Sequence, residues 1–218
     1  MAVAFDACTS GSGTGTSISF SHTCTGSDLV LYVYVVVAAN ADFNPAVTYN
    51  SVSLTLLQER VADAYYIALF RLVAPATGAN TVAVTSLPGG GQEAVIAVSF
   101  TGVHQSTPDD TPVYSASASA TSVSDNVSSA TGNMVLDGVS VQGDRAITAG
   151  ADQTVPANGT VDQTQVETAV SYDSGAATNT MSWSWTGNAR VGHIAIDINA
   201  ATGGGSSNGA AVYYYSQL

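Results

Sequence analysis

The sequence predicts an all-β protein: an antiparallel β-sandwich of the jelly-roll or immunoglobulin-like type, built from two pseudo-repeats and followed by a flexible C-terminal tail. Three observations support this fold class. Runs of β-branched and aromatic residues recur between clusters of Gly, Asn, Asp, Ser and Pro. Several runs alternate with a period of two, and no long stretch keeps the 3.6-residue period of a helix. With 218 residues, 45% of them hydrophobic, 9% charged and only 2 of them Cys, the chain is neither disordered nor a disulfide scaffold.

The predicted strands fall into two series. The first series covers residues 16–20, 28–38, 46–56, 63–73, 80–86 and 93–101. The second series covers residues 120–129, 133–141, 144–149, 165–173, 178–186 and 190–198. Alternation within the eleventh of these strands places Trp183 and Trp185 on one inward face.

The run from Leu29 to Ala39 is apolar on both faces, unlike an ordinary half-buried strand. Two arrangements explain it. Either the strand is covered on both sides within the fold, or the face that carries Tyr32 and Tyr34 is buried against another subunit. In the second case Tyr32 and Tyr34 form an exposed aromatic face on the isolated chain.

Short segments of the first half recur in the second half in the same order. Thr25–Val33 resembles Thr131–Val139, Asn80 aligns with Asn179, and Ile96 aligns with Ile194. The alternative is a chance recurrence of similar strand and turn chemistry. We favour one compact two-sheet body over two immunoglobulin-like domains in tandem. The predicted organisation is a duplicated sandwich over residues 1–202, with pseudo-repeats at about 16–104 and 120–202, a Gly/Ser linker at 203–209 and a docking segment at 210–218.

The docking segment is aromatic, high in β-propensity and free of charged side chains. Its candidate docking residues are Val212, Tyr213, Tyr214, Tyr215 and Leu218. Because an exposed apolar segment on a flexible linker tends to associate with other protein surfaces, we expect it to dock on a neighbouring subunit as an added strand. The alternative is that it folds back onto its own sandwich.

The charge balance excludes several partners. The chain has 4 Lys+Arg, all arginine, against 16 Asp+Glu, for a formal net charge of −12. Four scattered arginines cannot form the cationic patch that nucleic acid or an anionic membrane surface needs. The first residues lack the positive and apolar regions of a secretory signal, which predicts synthesis in the cytoplasm.

No residue pattern predicts a catalytic site, a cofactor site or a metal site. His22, His104 and His193 are isolated, without the spacing of zinc ligands, and His193 is predicted to lie on the surface. The Gly-x-Ser-x-Gly match at 205–209 lies in the linker with no later His, so it does not indicate a hydrolase. The glutamates do not form the paired pattern of a glycosidase: Glu59, Glu93 and Glu167.

Two further features are interpreted as structural. The acidic loop residues Asp109 and Asp110 are expected to be solvated rather than to bind calcium. Cys8 and Cys24 flank a Gly/Ser/Thr-rich segment, so a disulfide between them is a candidate, although reduced thiols are expected during cytoplasmic synthesis.

Four segments carry a resemblance to a known group of proteins. They are Ser17-Ile-Ser-Phe-Ser-His-Thr23, Val47-Thr-Tyr-Asn-Ser-Val-Ser-Leu54, Val73-Ala-Pro-Ala-Thr-Gly78 and Val98-Ser-Phe-Thr-Gly-Val103. The chain resembles β-sandwich structural proteins of tailed bacteriophages, a type also found in some bacterial surface proteins. The resemblance implies a non-enzymatic virion component, such as a capsid decoration or cement protein or a tail part. It implies a multi-copy or homo-oligomeric protein on the virion surface, with the major capsid protein as partner.

Two rival functions remain at this level. A carbohydrate-binding or adhesin module would use Tyr32, Tyr34 and Tyr66 as exposed platforms for sugar rings. A subunit of an extracellular filament would be joined by strand donation from the C-terminal segment. Both rivals would place the chain outside the cell or at the cell surface.

Overall fold

The computed structural model describes residues 1–39, 41–62 and 65–201. Over these residues the protein is all-β, as predicted, and its sheets are antiparallel and not closed into a barrel. None of the described residues belongs to a helix of the length and apolarity needed to cross a membrane. The strands are β1 (Ala4–Gly13), β2 (Ser17–Cys24), β3 (Val30–Val37), β4 (Ala46–Tyr49), β5 (Val52–Ser53), β6 (Thr55–Ala62), β7 (Tyr65–Val73), β8 (Gly78–Thr85), β9 (Glu93–Thr101), β10 (Val113–Ser128), β11 (Met134–Gln142), β12 (Ile147–Ala149), β13 (Thr160–Val161), β14 (Val166–Ser174) and β15 (Thr178–Ile198).

The strands form three sheets rather than the two that we expected. The central sheet has the order β1-β9-β3-β7-β6, and the small sheet has the order β2-β8-β4-β5. The long sheet has the order β10-β15-β11-β14-β13, with β12 also paired to β15. One apolar core lies between the central and long sheets, and a second lies between the central and small sheets. All eight residues of β3 are therefore buried, which confirms that its two apolar faces are both covered within the fold.

The same pairing order occurs in both halves of the chain. In the first half β8 pairs with β2 and β4, while β9 pairs with β3, which pairs with β7. In the second half the single 21-residue strand β15 occupies the positions that β8 and β9 occupy in the first half. β10 pairs along most of its length, β12 pairs with its first part, and β11, which pairs with β14, pairs with its last part. The origin of this arrangement by duplication, and the domain limits given above, stay predictions.

The strand prediction missed β1, most of β6 and the short strand β13. The sequence of β1 is rich in Gly, Ser and Thr, so it lacks the β-branched and aromatic residues that predict a strand. One of its glycines is required by packing, because a Cβ at Gly11 would lie 2.6 Å from the ring of Phe20. The prediction also divided β15 into two strands, although the chain continues through Thr186–Arg190 without a break.

Candidate functional site

The candidate aromatic face on β3 is buried rather than exposed. Tyr32 is 0% exposed and Tyr34 is 1% exposed, because the long sheet of the same chain covers them. The Tyr34 hydroxyl donates a hydrogen bond to the carbonyl of Ile194 at 3.1 Å. Its ring lies against Gly138, where a Cβ would collide with it. The prediction of an exposed face was wrong because a distant part of the chain provides the cover expected from another subunit.

Asp109 is also engaged rather than solvated. Its Oδ1 lies 2.6 Å from Nη1 of Arg71, and its Oδ2 accepts a hydrogen bond from the Tyr32 hydroxyl at 2.9 Å. The side chain of Asp109 is only 6% exposed. This carboxylate therefore fixes β3 and β7 to the segment after β9, and it is not free to bind a cation.

The two cysteines are free and buried, so the candidate disulfide is absent. Cys8 belongs to the core between the central and long sheets, whereas Cys24 belongs to the core between the central and small sheets. The reason is that β1 pairs with β9 while β2 pairs with β8 in a different sheet. Burial raises the pKa of both thiols, that of Cys8 to about 12, so neither is a reactive thiolate.

The first of two buried histidine clusters surrounds His22 on β2. His22 is 0% exposed, and its Nδ1 lies 2.7 Å from Oγ1 of Thr9 while its Nε2 lies 3.1 Å from Oγ of Ser99. The Ser99 hydroxyl donates to Oδ2 of Asp6 at 2.7 Å, so it accepts from Nε2. Burial lowers the pKa of His22 to about 4, and the charge of Asp6 only partly opposes this shift. His22 is thus a neutral imidazole held by two hydroxyl groups.

The second cluster surrounds His193 on β15. His193 is 0% exposed, so its predicted surface position was wrong. Its Nδ1 lies 2.7 Å from Oδ2 of Asp125, and its Nε2 lies 2.8 Å from Oδ2 of Asp137. Burial by itself lowers the pKa of His193, but the hydrogen bonds to these two carboxylates outweigh it and raise the pKa to about 9. His193 is therefore an imidazolium that donates to two carboxylates.

Asp137 is the centre of this second cluster. The indole Nε1 of Trp183 donates to its Oδ2 at 2.7 Å, and the backbone N of Ser171 donates to its Oδ1 at 3.1 Å. The Ser171 hydroxyl also donates to Oδ1, and Gln153 donates to that hydroxyl at 2.6 Å. The inward position predicted for Trp183 is confirmed. Sequence reasoning missed this cluster because its members come from β10, β11, β14, β15 and a loop, which are far apart in the chain.

Neither cluster is arranged for catalysis. A nucleophile or general base must reach a substrate, but His22, Ser99 and His193 are each 0% exposed. Among the described residues no group of three or more His, Cys, Asp or Glu is placed to hold a metal ion. His104 lies apart from both clusters, and its Nδ1 accepts a hydrogen bond from the backbone N of Thr107 at 3.0 Å. The clusters instead join strands inside the core.

The three glutamates lie on separate strands. Glu59 on β6 accepts a hydrogen bond from the Tyr66 hydroxyl at 2.6 Å. Burial raises the pKa of Glu93 on β9. Burial and then the nearby charges of Asp162 and Asp144 raise the pKa of Glu167 on β14 to about 8. The three glutamates therefore belong to three different strands of two sheets.

One surface feature is an apolar edge where the small and central sheets meet. β5 ends the small sheet and β6 ends the central sheet, and both carry exposed aliphatic side chains. Val52 is 52% exposed, Leu56 40% and Val61 38%. A groove of about 300 Å³ lies beside Leu56. This edge is the candidate interaction site of the described residues.

The predicted docking segment lies outside the described residues, as does the Gly-x-Ser-x-Gly match at 205–209. The docking residues concerned are Val212, Tyr213, Tyr214, Tyr215 and Leu218. Comparison with known proteins found no protein-family model that matches the chain and no significant match among curated proteins.

Proposed function

We propose that this chain is a non-enzymatic structural protein that docks on a larger protein assembly. The assembly we propose is a bacteriophage virion, on which the chain acts as a capsid decoration or cement protein or as another exterior component. The observation that carries the proposal is a contrast within the fold. The histidines of the core are buried and hydrogen-bonded to other side chains, whereas one edge of the sheets exposes apolar side chains. His22 and His193 are fully buried, whereas Leu56 and Val61 are exposed to solvent.

The charge of the chain fits a protein that assembles only on its target. A net charge of −12 without any lysine keeps free copies apart in solution. Docking energy must then come from apolar contacts, at about 25 cal/mol per Å² buried before the costs of association. Because one such contact is weak, many copies on one particle would hold by avidity. The major capsid protein is the proposed partner, and the resemblance in the sequence is the reason for choosing a virion.

The carbohydrate-binding alternative is weakened by the burial of its platforms. Tyr32 and Tyr66 are 0% exposed and Tyr34 is 1% exposed, so none of them can stack on a sugar ring. The proposed function therefore needs a protein surface as its target rather than a glycan.

The test is to locate the chain on particles. Phage particles from the source of the sequence are banded on a density gradient, and an antibody against the chain is applied with gold labelling in electron microscopy. We expect the chain to band with the particles and gold to lie on their exterior. A chain that stays in the unassembled fraction while the capsid protein bands would contradict the proposal.

A further inference from the structure

We propose that the hydroxyl of Ser171 attacks the side-chain carboxamide of Gln153 and forms an intramolecular ester, with release of ammonia. The bond ties the loop after β12 to strand β14. The nucleophile, the base and the acyl group all belong to one chain. Such a crosslink is therefore a property of the folded chain itself, whatever assembly the chain joins.

Ser171 carries a buried hydroxyl beside a base. It is 0% exposed, and its hydroxyl donates to Oδ1 of Asp137. The other carboxylate oxygen of Asp137, Oδ2, is held by Nε2 of His193 at 2.8 Å and by Nε1 of Trp183 at 2.7 Å. An adjacent base is what converts a weakly nucleophilic hydroxyl into an attacking group. Oδ1 is therefore the atom that takes the proton of the Ser171 hydroxyl.

The carboxamide of Gln153 is held against this hydroxyl. Its Nε2 lies 2.6 Å from Oγ of Ser171. Its Oε1 accepts hydrogen bonds from the backbone N of Ser182 at 2.7 Å and from the backbone N of Gly150 at 3.1 Å. Because backbone N–H groups only donate, the amide oxygen must face them and the amide nitrogen must face Ser171. To react, the carboxamide turns its face toward Oγ while Oε1 keeps its two donors.

The two backbone donors on Oε1 form an oxyanion hole. Attack on an amide moves negative charge onto its oxygen, and donors about 2.7 to 3.1 Å from that oxygen stabilise the charge. A glycine permits this contact, because a Cβ at Gly150 would push Oε1 of Gln153 away. The loop is fixed at the same place by Thr154 and Tyr172, whose backbone groups exchange hydrogen bonds of 2.8 and 3.0 Å. The reacting groups are thus positioned before the reaction begins.

The atoms and electrons of the step balance without an added reactant. Oγ of Ser171 forms a bond to Cδ of Gln153 while its proton passes to Asp137, and the carbonyl electron pair moves onto Oε1. When that pair returns, the bond between Cδ and Nε2 breaks and the nitrogen keeps its electron pair. Nε2 lies 3.4 Å from Oδ2 of Asp137, so the carboxyl group can return the proton to the departing nitrogen. The products are the ester and ammonia.

Burial protects both the reaction and its product. A buried site cannot serve an external substrate, but here both reacting groups already lie inside it. Asp137, Ser171 and His193 are each 0% exposed, so water neither competes with the hydroxyl nor reaches the ester afterwards. A surface cavity of about 700 Å³ borders Gly150 and Ser182, the residues that hold Oε1. This cavity gives ammonia a route to the solvent, and its loss makes the step irreversible.

Intact-mass spectrometry of the full chain tests the ester. The folded protein is incubated, denatured and weighed, and we expect a mass below that of the sequence by about 17 Da, the mass of one ammonia. Digestion and tandem mass spectrometry should then find the peptide that contains Gln153 joined to the peptide that contains Ser171. A folded chain that keeps its full mass after prolonged incubation overturns the proposal, because the groups are then joined by hydrogen bonds only.

Two variants locate the loss of ammonia. Ser171→Ala removes the nucleophile and Gln153→Glu removes the amide leaving group, so each should keep the full mass of its own sequence. The matched control is Ser140→Ala, since Ser140 is also a 0% exposed serine of the same half, and it should lose ammonia as the wild type does. Circular dichroism establishes that the variants are folded.

One other reaction of this chain would also release ammonia. Asn158 precedes Gly159, and such a pair can close to a succinimide with the same change in mass. A Ser171→Ala chain that still loses ammonia would assign the loss to that reaction and overturn the ester. The joined peptides of the wild type distinguish the two reactions without any variant, since a succinimide joins no peptides.

Discussion

The two halves of the molecule share an order of strand pairing but bury their histidines in opposite charge states. His22 in the first half contacts the hydroxyls of Thr9 and Ser99, and its pKa falls to about 4. His193 in the second half lies between Asp125 and Asp137, and its pKa rises to about 9. Burial lowers the pKa of both, so the difference comes from the partners. Two contacting carboxylates reverse the lowering of a histidine pKa by burial, whereas two contacting hydroxyl groups do not.

This difference makes the halves sensitive to opposite ends of the pH range. The pKa of His22 is lower in the folded state than its ordinary value of 6.5. The contribution of His22 to the free energy of unfolding is therefore complete above about pH 6.5, and it is lost as the pH falls toward 4. The pKa of His193 is higher than 6.5 in the folded state, so its contribution is complete below that pH and is lost as the pH rises through about 9.

The largest expected effect is the loss of a carboxylate beside the buried imidazolium. Asp137→Ala leaves His193 without one of its two carboxylates and leaves the indole of Trp183 without an acceptor. Because a buried charge without its partner is costly, we expect the free energy of unfolding at pH 7 to fall by about 3 to 5 kcal/mol. Urea unfolding measures it. The control, Asp152→Ala at an exposed position of the same half, should change the value by less than about 0.5 kcal/mol, and equal effects would refute the role of the cluster.

The next effect is a change in pH dependence confined to the first half. His22→Gln removes the group that must gain a proton as the chain unfolds in acid. Between pH 6.5 and 4 the wild type should therefore lose about 2 to 3 kcal/mol more than the variant does. The measurement is urea unfolding at several pH values, read as the difference between the two curves. His193→Gln is the comparison, and its curve should depart from the wild type on the alkaline side instead. Parallel curves for His22→Gln and the wild type would contradict a neutral buried His22.

The sequence predicts those parts of this arrangement that depend on local pattern. Alternation along β15 correctly turns Trp183 inward, and the apolar run of β3 correctly indicates a strand covered on both faces. The burial of His193 and Tyr34 depends instead on which distant strands lie above them. Nothing near His193 in the sequence identifies Asp137 as its partner, since β11 and β15 are joined only by sheet pairing. Local pattern therefore gives the fold class, and the sites follow from long-range pairing.

The last expected effect concerns a buried acid in the second half. Burial and the nearby Asp162 raise the pKa of Glu167 to about 8, above its ordinary value of 4.5. The folded state thus holds the proton more tightly, and stability falls as the pH rises between these two values. Glu167→Gln, which cannot ionise, should match the wild type near pH 4 and exceed it at pH 9 by up to about 4 kcal/mol, the size that a pKa raised from 4.5 to about 8 implies. Thermal unfolding at the two pH values measures this, with Asp152→Asn as an exposed control for the same change in charge. If the difference in stability between the variant and the wild type is the same at both pH values, the Glu167 carboxyl ionises as easily in the folded state as in the unfolded chain, which contradicts the prediction.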